Sequence, residues 1–321
     1  MADVDVVVLT YDRRDLVERC LESLNGQAGD FNAIVVDNGS SDDTVAWLRV
    51  ERPGVSLAAL PENVGVPVAL NSGIAAGGAE HVIVLNNDIV CEPRFVESIV
   101  RPLRERPRVG MVAALLIKPG ERLIDSFGLE FDRTLSVYER FAGEPYPPVA
   151  LDERHLAAPH GGAGAYRRSA LEAVGGFDER IQAYMEDADL ALRIQALGLG
   201  CAGASDAVAV HLGSATIGKR SRRQVLMSGR SRAYMLRKYG VASAGPGTAA
   251  WALAIEAGVT AIDSLIGRDL GALRGRREGW RQAAAVRHVL PRAAINEEIG
   301  PREALRRRAA VLRPQVAEAG R

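Results

Sequence analysis

Apolar positions in the first quarter of the chain alternate between two spacings. Residues 4–9 form a nearly continuous β-branched run, the pattern of a strand buried on both faces. Leu16, Val17, Cys20, Leu21 and Leu24 then share one stripe at helical spacing. The unit recurs: residues 33–36 run into Asp37-Asn38-Gly39-Ser40, and Asp42 or Asp43 is placed to cap a helix through Val45 and Leu48. Residues 55–60, the loop Pro61-Glu62-Asn63-Val64-Gly65 and residues 68–76 repeat it, and residues 81–85 read as a fourth strand. Strand and helix in alternation predict an α/β domain with a mainly parallel sheet and a ligand site at the carboxyl ends of its strands.

Polar residues collect at those ends: Thr10 and Tyr11, Asp37 and Asn38, then Asn86, Asn87 and Asp88. One such cluster is no more than a polar loop, but three at successive strand ends of one domain point to a binding edge. Beyond Glu121 the alternation fades into Gly- and Pro-rich stretches, with a turn at residues 175–178, a helix over 186–197 and an apolar run over 207–210 ahead of His211.

A chain of 321 residues with 47% hydrophobic and 25% charged residues has the composition of a folded soluble protein. Cys20, Cys91 and Cys201 follow no metal-ligand spacing, and their odd number argues against a disulfide framework, so a reducing, cytoplasmic setting is expected. The first residues lack the pattern of an export signal. A net charge of zero hides an asymmetry: from Thr216 onward there are 21 Lys and Arg against 8 Asp and Glu, and before it 19 against 32. This places a break near residue 215 and gives the second part a basic surface suited to an anionic partner. With only 5% aromatic residues and no recognisable motif, nucleic acid is not the expected partner.

In that basic part Trp251, Ile255, Val259, Ile262 and Ile266 recur at helical spacing, while Glu256 and Asp263 fall together on the other side. Two acids in a segment barely long enough to span argue against a transmembrane helix. An amphipathic helix is expected, packed on the preceding domain or lying in an anionic membrane interface, with packing the commoner use.

Chemistry-bearing residues are sparse. Asp88, after an apolar strand and Asn86-Asn87, is placed to hold a divalent cation, and His211 can offer an imidazole, although an isolated strand-end acid or histidine serves equally in a turn or facing solvent. Glu186, Asp187 and Asp189 form the one dense acidic cluster that precedes a clear helix. Acids in a first helical turn also answer the helix dipole, and neighbours about 100° apart should not both face one substrate, so one of Glu186 and Asp187 is expected to be structural.

Taken in order, Leu9-Thr10-Tyr11 with Arg13, residues 35–42, Glu62-Asn63-Val64-Gly65 with Asn71, Leu85-Asn86-Asn87-Asp88, Gly175-Gly176-Phe177-Asp178-Glu179, Glu186-Asp187-Ala188-Asp189-Leu190 and His211 resemble glycosyltransferase family 2, in its bacterial rhamnosyltransferase-like branch. The resemblance spans roughly residues 3–239. It implies a GT-A fold, an inverting single displacement and Mn²⁺ or Mg²⁺. It implies a UDP- or dTDP-linked sugar as donor and a hydroxyl of a glycan, glycolipid or lipid-linked intermediate as acceptor. By the resemblance Thr10, Tyr11 and Arg13 line the nucleotide pocket, Asp37 with Asn38 reads the base, and Asn63, Gly65 and Asn71 shape the diphosphate and ribose region. Asp88 matches the last acid of the family's Asp-any-Asp motif; Asn86 stands where its first acid often is, with Asn87 between. Asp187 matches the base, Glu186 the acceptor side and His211 the late metal-binding histidine. Gly161-Gly162-Ala163-Gly164 matches the small-residue segment beside the donor sugar, with Gly162 in the contact set.

Residues 1–115 are accordingly expected to bind donor, 116–215 to carry the acceptor side, and 216–321 to form a basic helical region. The chain is expected in the cytoplasm, with peripheral contact at the inner face of the membrane. A sugar nucleotidyltransferase would carry a basic Gly-rich loop where Thr10-Tyr11-Asp12-Arg13 stands, and a non-catalytic carbohydrate-binding relic would not be expected to keep both Asp88 and Asp187.

Overall fold

The computed structural model describes residues 2–147, 150–213, 221–241 and 245–308. Chain order begins β1 (Val4–Thr10), α1 (Arg14–Leu24), β2 (Phe31–Asp37), α2 (Thr44–Glu51), β3 (Ser56–Ala59), α3 (Val66–Ala76) and β4 (His81–Asn86), in agreement with the alternating pattern. Asp42 supplies the start of α2, its Oδ1 accepting the Thr44 N–H at 3.0 Å. Then follow β5 (Ile89–Cys91), α4 (Phe95–Glu105), β6 (Val109–Ile117), β7 (Ile124–Ser126), β8 (Leu129–Phe131), β9 (Val137–Glu139), β10 (Ala163–Arg167), α5 (Arg168–Val174), α6 (Glu186–Ala196) and β11 (Gly200–His211). The C-terminal part holds α7 (Arg222–Lys238), α8 (Pro246–Gly267) and α9 (Gly271–Gln282), and residues 301–308 are helical. The break expected near residue 215 lies outside the described residues.

The main sheet has the order β3-β2-β1-β4-β10-β6-β11-β5, with β7 beside β6. Strands β1, β2, β3, β4, β6 and β11 run one way, while β10, β5 and β7 run against them. Each face is apolar and covered by helices, which is why the strands read as continuous runs. Val17, Cys20, Leu21, Trp47, Phe95, Ile99 and Leu103 pack on one face. Leu70, Ile74, Leu171, Leu190, Ile194, Tyr234 and Met235 pack on the other.

A buried ion cluster ties the C-terminal helices to this core. Lys238 of α7, 1% exposed, places Nζ 2.6 Å from Asp178 Oδ2 and 2.6 Å from Asp189 Oδ1. Arg193 donates from Nε to Asp189 Oδ2 at 2.8 Å and from Nη1 to the Val174 and Gly176 carbonyls. Tyr234 and Tyr239 donate hydroxyl hydrogens to Asp178 and Asp189. Asp178 is consequently held well below the usual carboxylate range: burial alone would raise it, and the Lys238 and Tyr234 hydrogen bonds overcome that. Next to the cluster α7 and α9 cross in near backbone contact, since a Cβ on Gly275 would lie 2.1 Å from the Leu226 carbonyl and one on Gly279 1.9 Å from that of Arg230.

The C-terminal helix α8 departs from expectation. Glu256 does not face solvent: it accepts from Arg232 Nε of α7 at 2.8 Å and from Arg276 Nε of α9 at 2.9 Å. Ile262 and Ile266, on the stripe expected either to pack on the preceding domain or to lie in a membrane interface, are exposed. The ion pairs decide the roll of the helix, because a buried carboxylate with two guanidinium partners is dearer to expose than an isoleucine.

Replacing Lys238 by Met removes the buried cation of Asp178 and leaves Asp189 with Arg193 alone. The expected loss is about 3 to 5 kcal/mol in urea denaturation, and a loss under about 1 kcal/mol would show that the cluster is wet and weakly coupled.

Candidate active site

Register brings the polar strand ends together. β1 pairs with β2 and β4 so that Thr10 faces Asp37 and Leu9 faces Asn86. Because β10 runs antiparallel to β4, with Ala163 opposite Leu85, the approach to β10 at residues 160–162 reaches the same edge. The end of β11 lies against β5, His211 opposite Ile89, and the Leu212 N–H donates to the Asp88 carbonyl at 2.9 Å.

Two groups of side chains stand at this edge. In the first, His211 bridges two carboxylates, with Nε2 3.4 Å from Asp88 Oδ2 and Nδ1 2.7 Å from Asp125 Oδ2. Burial disfavours the imidazolium, but the hydrogen bonds of Asp125 and Asp88 outweigh it and push the His211 pKa up to about 10. Asp88 is buried and its Oδ1 has no hydrogen-bond partner among the described residues. His160 meets His211 edge to face with ring centroids 5.3 Å apart, and burial followed by the His211 charge lowers it to about 4. Glu139 of β9 lies 3.8 Å from His160 Nε2 and is raised by burial and the Asp125 charge to about 7. Asp125, His160 and Glu139 were not anticipated. Asp125 and Glu139 sit on strands of three residues that carry no periodic signal; His160 had one available, its position directly before Gly161-Gly162.

The second group is Glu186 and Asp187, which line a small cleft together with His160, Gly161, Gly164, Leu70, Tyr166 and Phe177. Neighbours on a helix were expected to point apart, yet both residues line this one cleft, just after Tyr184 and Met185 at positive φ and at the first turn of α6. The purely structural acid of the trio is Asp189, 0% exposed and paired with Arg193 and Lys238. Asp187 Oδ1 accepts the Ala188 N–H at 2.7 Å, and its Oδ2 would sit 2.9 Å from a Cβ on Gly161, so a side chain at 161 would push the Asp187 carboxyl aside. Glu186 Oε2 is buried without a described partner. Both pKa values are raised by burial, that of Glu186 further by the Asp187 charge. His160 and Gly161 border this cleft while His160 also touches His211, so the two groups share one wall.

Residues expected to meet a donor knit the same edge. Asn87 Nδ2 donates to Thr10 Oγ1 at 3.0 Å, joining the ends of β4 and β1. Asn38 accepts the Val64 N–H at 3.0 Å and donates to the Gly65 carbonyl at 3.3 Å, and Asn63 Oδ1 accepts the Gly65 N–H. Tyr11 and Asn86 are half-buried, and the Asn86 N–H donates to the Gly162 carbonyl at 2.9 Å. Arg13 stands in the left-handed region and grips Asp15 with two bonds of 2.8 Å; the Asp15 bond raises its pKa and the Asp88 charge adds to this.

Two expected contacts differ. Asp37 is fully buried and both its oxygens accept from Ser40, Oδ1 from the backbone at 2.9 Å, so its carboxylate closes a turn instead of presenting a free edge to a base. Asn71 is turned away toward the 176–179 turn, accepting the Phe177 N–H at 2.8 Å and donating to the Phe177 carbonyl and Glu179 at 3.0 Å each; it braces the approach to α6. Among the described residues no group of three or more His, Cys, Asp or Glu side chains forms a ready metal cage.

The glycosyl transferase family 2 profile matches residues 5–175, more than half of the chain and all of this edge up to β10 and α5. The chain belongs to glycosyl transferase family 2. This glycosyltransferase is 31% identical over 228 residues to an N-acetylglucosaminyl-diphospho-decaprenol L-rhamnosyltransferase of Mycobacterium tuberculosis, covering 62% of its own length and 72% of that protein. It is 29% identical over 214 residues to the O-antigen biosynthesis protein RfbC of Myxococcus xanthus, covering 61% of the chain and 16% of that longer protein. A mannosyltransferase from Pyrobaculum calidifontis, solved with GDP-Man and Mn²⁺, superposes with a TM-score of 0.52 at 19% identity over 88% of this chain and 86% of that one. GalNAc-T7, solved with UDP, GalNAc and Mn²⁺, superposes at 0.57 with 12% identity over 74% and 48%. At these identities the superpositions establish the fold, which is GT-A.

Raised carboxyl pKa values carry a cost that depends on pH. The folded state binds the protons of Glu186 and Asp187 more tightly than the unfolded chain, so the pair destabilises the fold increasingly as pH rises above the unfolded carboxyl range. Glu186→Gln should therefore raise stability by about 1 to 3 kcal/mol at about pH 8 and change little at about pH 4. Equal shifts in urea midpoint at both pH values would contradict this origin.

Proposed function

We propose that this glycosyltransferase is inverting and uses a divalent cation, moving a sugar from a UDP- or dTDP-linked donor to a hydroxyl of a glycan, glycolipid or lipid-linked acceptor. The observation that carries the reading is the half-buried Glu186/Asp187 pair sharing the His160–Gly161 wall with Asp88 and His211. A transfer of this kind needs a base for the incoming hydroxyl and charge neutralisation for the departing diphosphate on opposite sides of the sugar. Relatedness to the mycobacterial rhamnosyltransferase over most of that protein supports a deoxyhexose donor and a diphospho-lipid-linked acceptor as the first pair to assay, with the enzyme on the cytoplasmic side.

Asp88 and His211 fit Mn²⁺ or Mg²⁺. Asp88 Oδ1 is a buried oxygen with no described partner, and the Asp125 hydrogen bond at Nδ1 turns His211 Nε2 toward Asp88. When bound, such a cation neutralises charge on the leaving diphosphate. His211 then gives up its proton, so cation binding should release a proton and tighten as pH rises. Thr10, Tyr11, Arg13, Asn38, Asn63, Gly65, Asn86 and Asn87 form the donor edge, and Gly162 leaves room beside the sugar. In this reading residues 1–115 are the donor-binding part, 116–215 the acceptor side and 216–321 an appended basic region.

Asp187 is the proposed base. The Ala188 N–H fixes its carboxylate, and burial raises its pKa toward the working pH, where a general base is most effective. It takes the acceptor proton as the hydroxyl oxygen attacks the anomeric carbon opposite the diphosphate, which inverts that centre. Glu186, beside it, hydrogen-bonds the acceptor.

Assaying UDP- and dTDP-sugars tests the whole reading. EDTA should abolish transfer and Mn²⁺ or Mg²⁺ restore it; Asp88→Ala should weaken cation and donor binding together, and Asp125→Ala should cost about 10- to 100-fold in cation affinity by freeing the His211 ring. Full activity in EDTA would reject the cation.

Asp187→Asn should keep donor binding and lower turnover by about 10²- to 10⁴-fold, with the low-pH limb of the rate profile gone. Glu186→Gln should cost a few-fold. The reverse ranking would exchange the two roles, and a product of retained anomeric configuration would overturn the displacement mechanism.

A further inference from the structure

Helix α8 is amphipathic the wrong way round for a water-facing helix. Its acids lie toward the protein: Glu256 is gripped by Arg232 and Arg276, and Asp263 is half-buried. Its outer face carries no charged side chain from Leu253 to Gly267, yet Leu265 is 77% exposed, Leu253 68% and Ile266 58%. Ile262 is exposed near Leu265 and Ile266 on a stripe that winds along the helix, and Leu270 and Leu273, at the start of α9, are exposed as well. Only 11% of the apolar window of α8 is buried. A continuous apolar surface of this extent on a soluble domain marks a contact site.

The charges around the face indicate what covers it. Between residues 268 and 289 the exposed charged side chains are Arg268, Arg274, Arg277, Arg281 and Arg287, against Glu278 alone. A second copy docked face to face by two-fold symmetry would bring two arginine-rich patches of the same sign together, which opposes association. An anionic lipid surface answers both features, its acyl boundary taking the leucines and its phosphates the arginines.

We propose that α8 and the exposed side of α9 form a monotopic membrane-binding face that lies in the interface of an anionic bilayer. Although α8 is long and apolar enough to cross a membrane, the Glu256 ion pairs pin its middle to α7 and α9, and on this proposal it lies along the surface and does not cross. Arg232 also donates to the Thr134 and Leu135 carbonyls beside β9, the strand that carries Glu139. The membrane face is thereby tied to one wall of the active-site edge. The inference stands whichever donor or acceptor the enzyme uses.

Flotation of the full chain with vesicles tests it. The protein should float with vesicles of phosphatidylcholine and phosphatidylglycerol in equal parts at low salt, far less with phosphatidylcholine alone, and should be released by high salt. Leu265→Asp/Ile266→Asp should fall to background binding with an unchanged melting temperature, since both side chains are already exposed. Arg274→Glu/Arg277→Glu should lower partitioning by at least roughly 25-fold, about five-fold for each charge removed. No flotation by the wild type, equal flotation with neutral vesicles, or binding that survives the Leu265/Ile266 change would each overturn the proposal. A dimer in sedimentation that this change dissolves would assign the face to a second copy. Resistance of vesicle-bound protein to alkaline carbonate would assign α8 to a span.

Discussion

The geometry of the active-site edge depends on one strand running the wrong way. β10 is inserted between β4 and β6 antiparallel to both, so its amino-terminal approach, not its carboxyl end, arrives beside Asn86 and Asp88. A parallel strand there would bring a carboxyl end and the start of a crossover helix. The antiparallel one brings His160-Gly161-Gly162, two residues without side chains next to a histidine. That segment lets Asp187 come within van der Waals reach of backbone on one side and His211 meet His160 on the other. The proposed division of labour between a cation side and a base side needs this thin wall.

Most of the first half of the fold was legible because its central strands β1 and β4 are buried on both faces and its helices on one, so 2.0 and 3.6 periodicities seldom compete. The second half was not legible for the same physical reason in reverse. Strands β7, β8 and β9 have three residues each, too few for a period to declare itself. They nevertheless deliver Asp125 and Glu139. The family motifs drew attention to Asp88, Asp187 and His211 but could not show that His211 is held by Asp125, since that contact joins residues 86 positions apart. Asn71 and Asp37 show the limit of motif reading from the other side. Each is polar and in the right stretch, yet each spends its hydrogen bonds on the protein's own turns.

The acids of α6 illustrate how burial sorts like residues. Three carboxyls stand within one helical turn. Asp189 is fully buried but meets Arg193 and Lys238 and has the partners to remain charged. Glu186 and Asp187 are half-buried beside a cleft with no cation paired to them among the described residues, and their protons are held more tightly for that reason. The Lys238 cluster therefore does more than join α7 to the core. It fixes the inner side of the helix whose outer side carries the strained pair, so the cost of that strain is borne by an anchored element.

The charge asymmetry read from composition has a different meaning once the contacts are known. Much of the basic excess after residue 215 faces inward: Arg232 and Arg276 hold Glu256, Arg230 reaches Gln182 and Gln282, Arg307 pairs with Glu130, and Lys238 closes the central cluster. Lys238 and Arg307 serve as bolts between the C-terminal helices and acids of the first part, whereas Arg232 and Arg276 pair within the C-terminal helices themselves, so part of the basic excess is taken up without any outside partner. Net charge alone therefore overstated the surface available to an anion. Among the exposed arginines that remain, Arg274, Arg277 and Arg281 stand on α9, next to an apolar face turned to solvent, while Arg222, Arg223, Arg292, Arg302 and Arg306 lie elsewhere. Coincidence of the two features on one side of the molecule, and not the total of 21 basic residues, gives the membrane assignment its force.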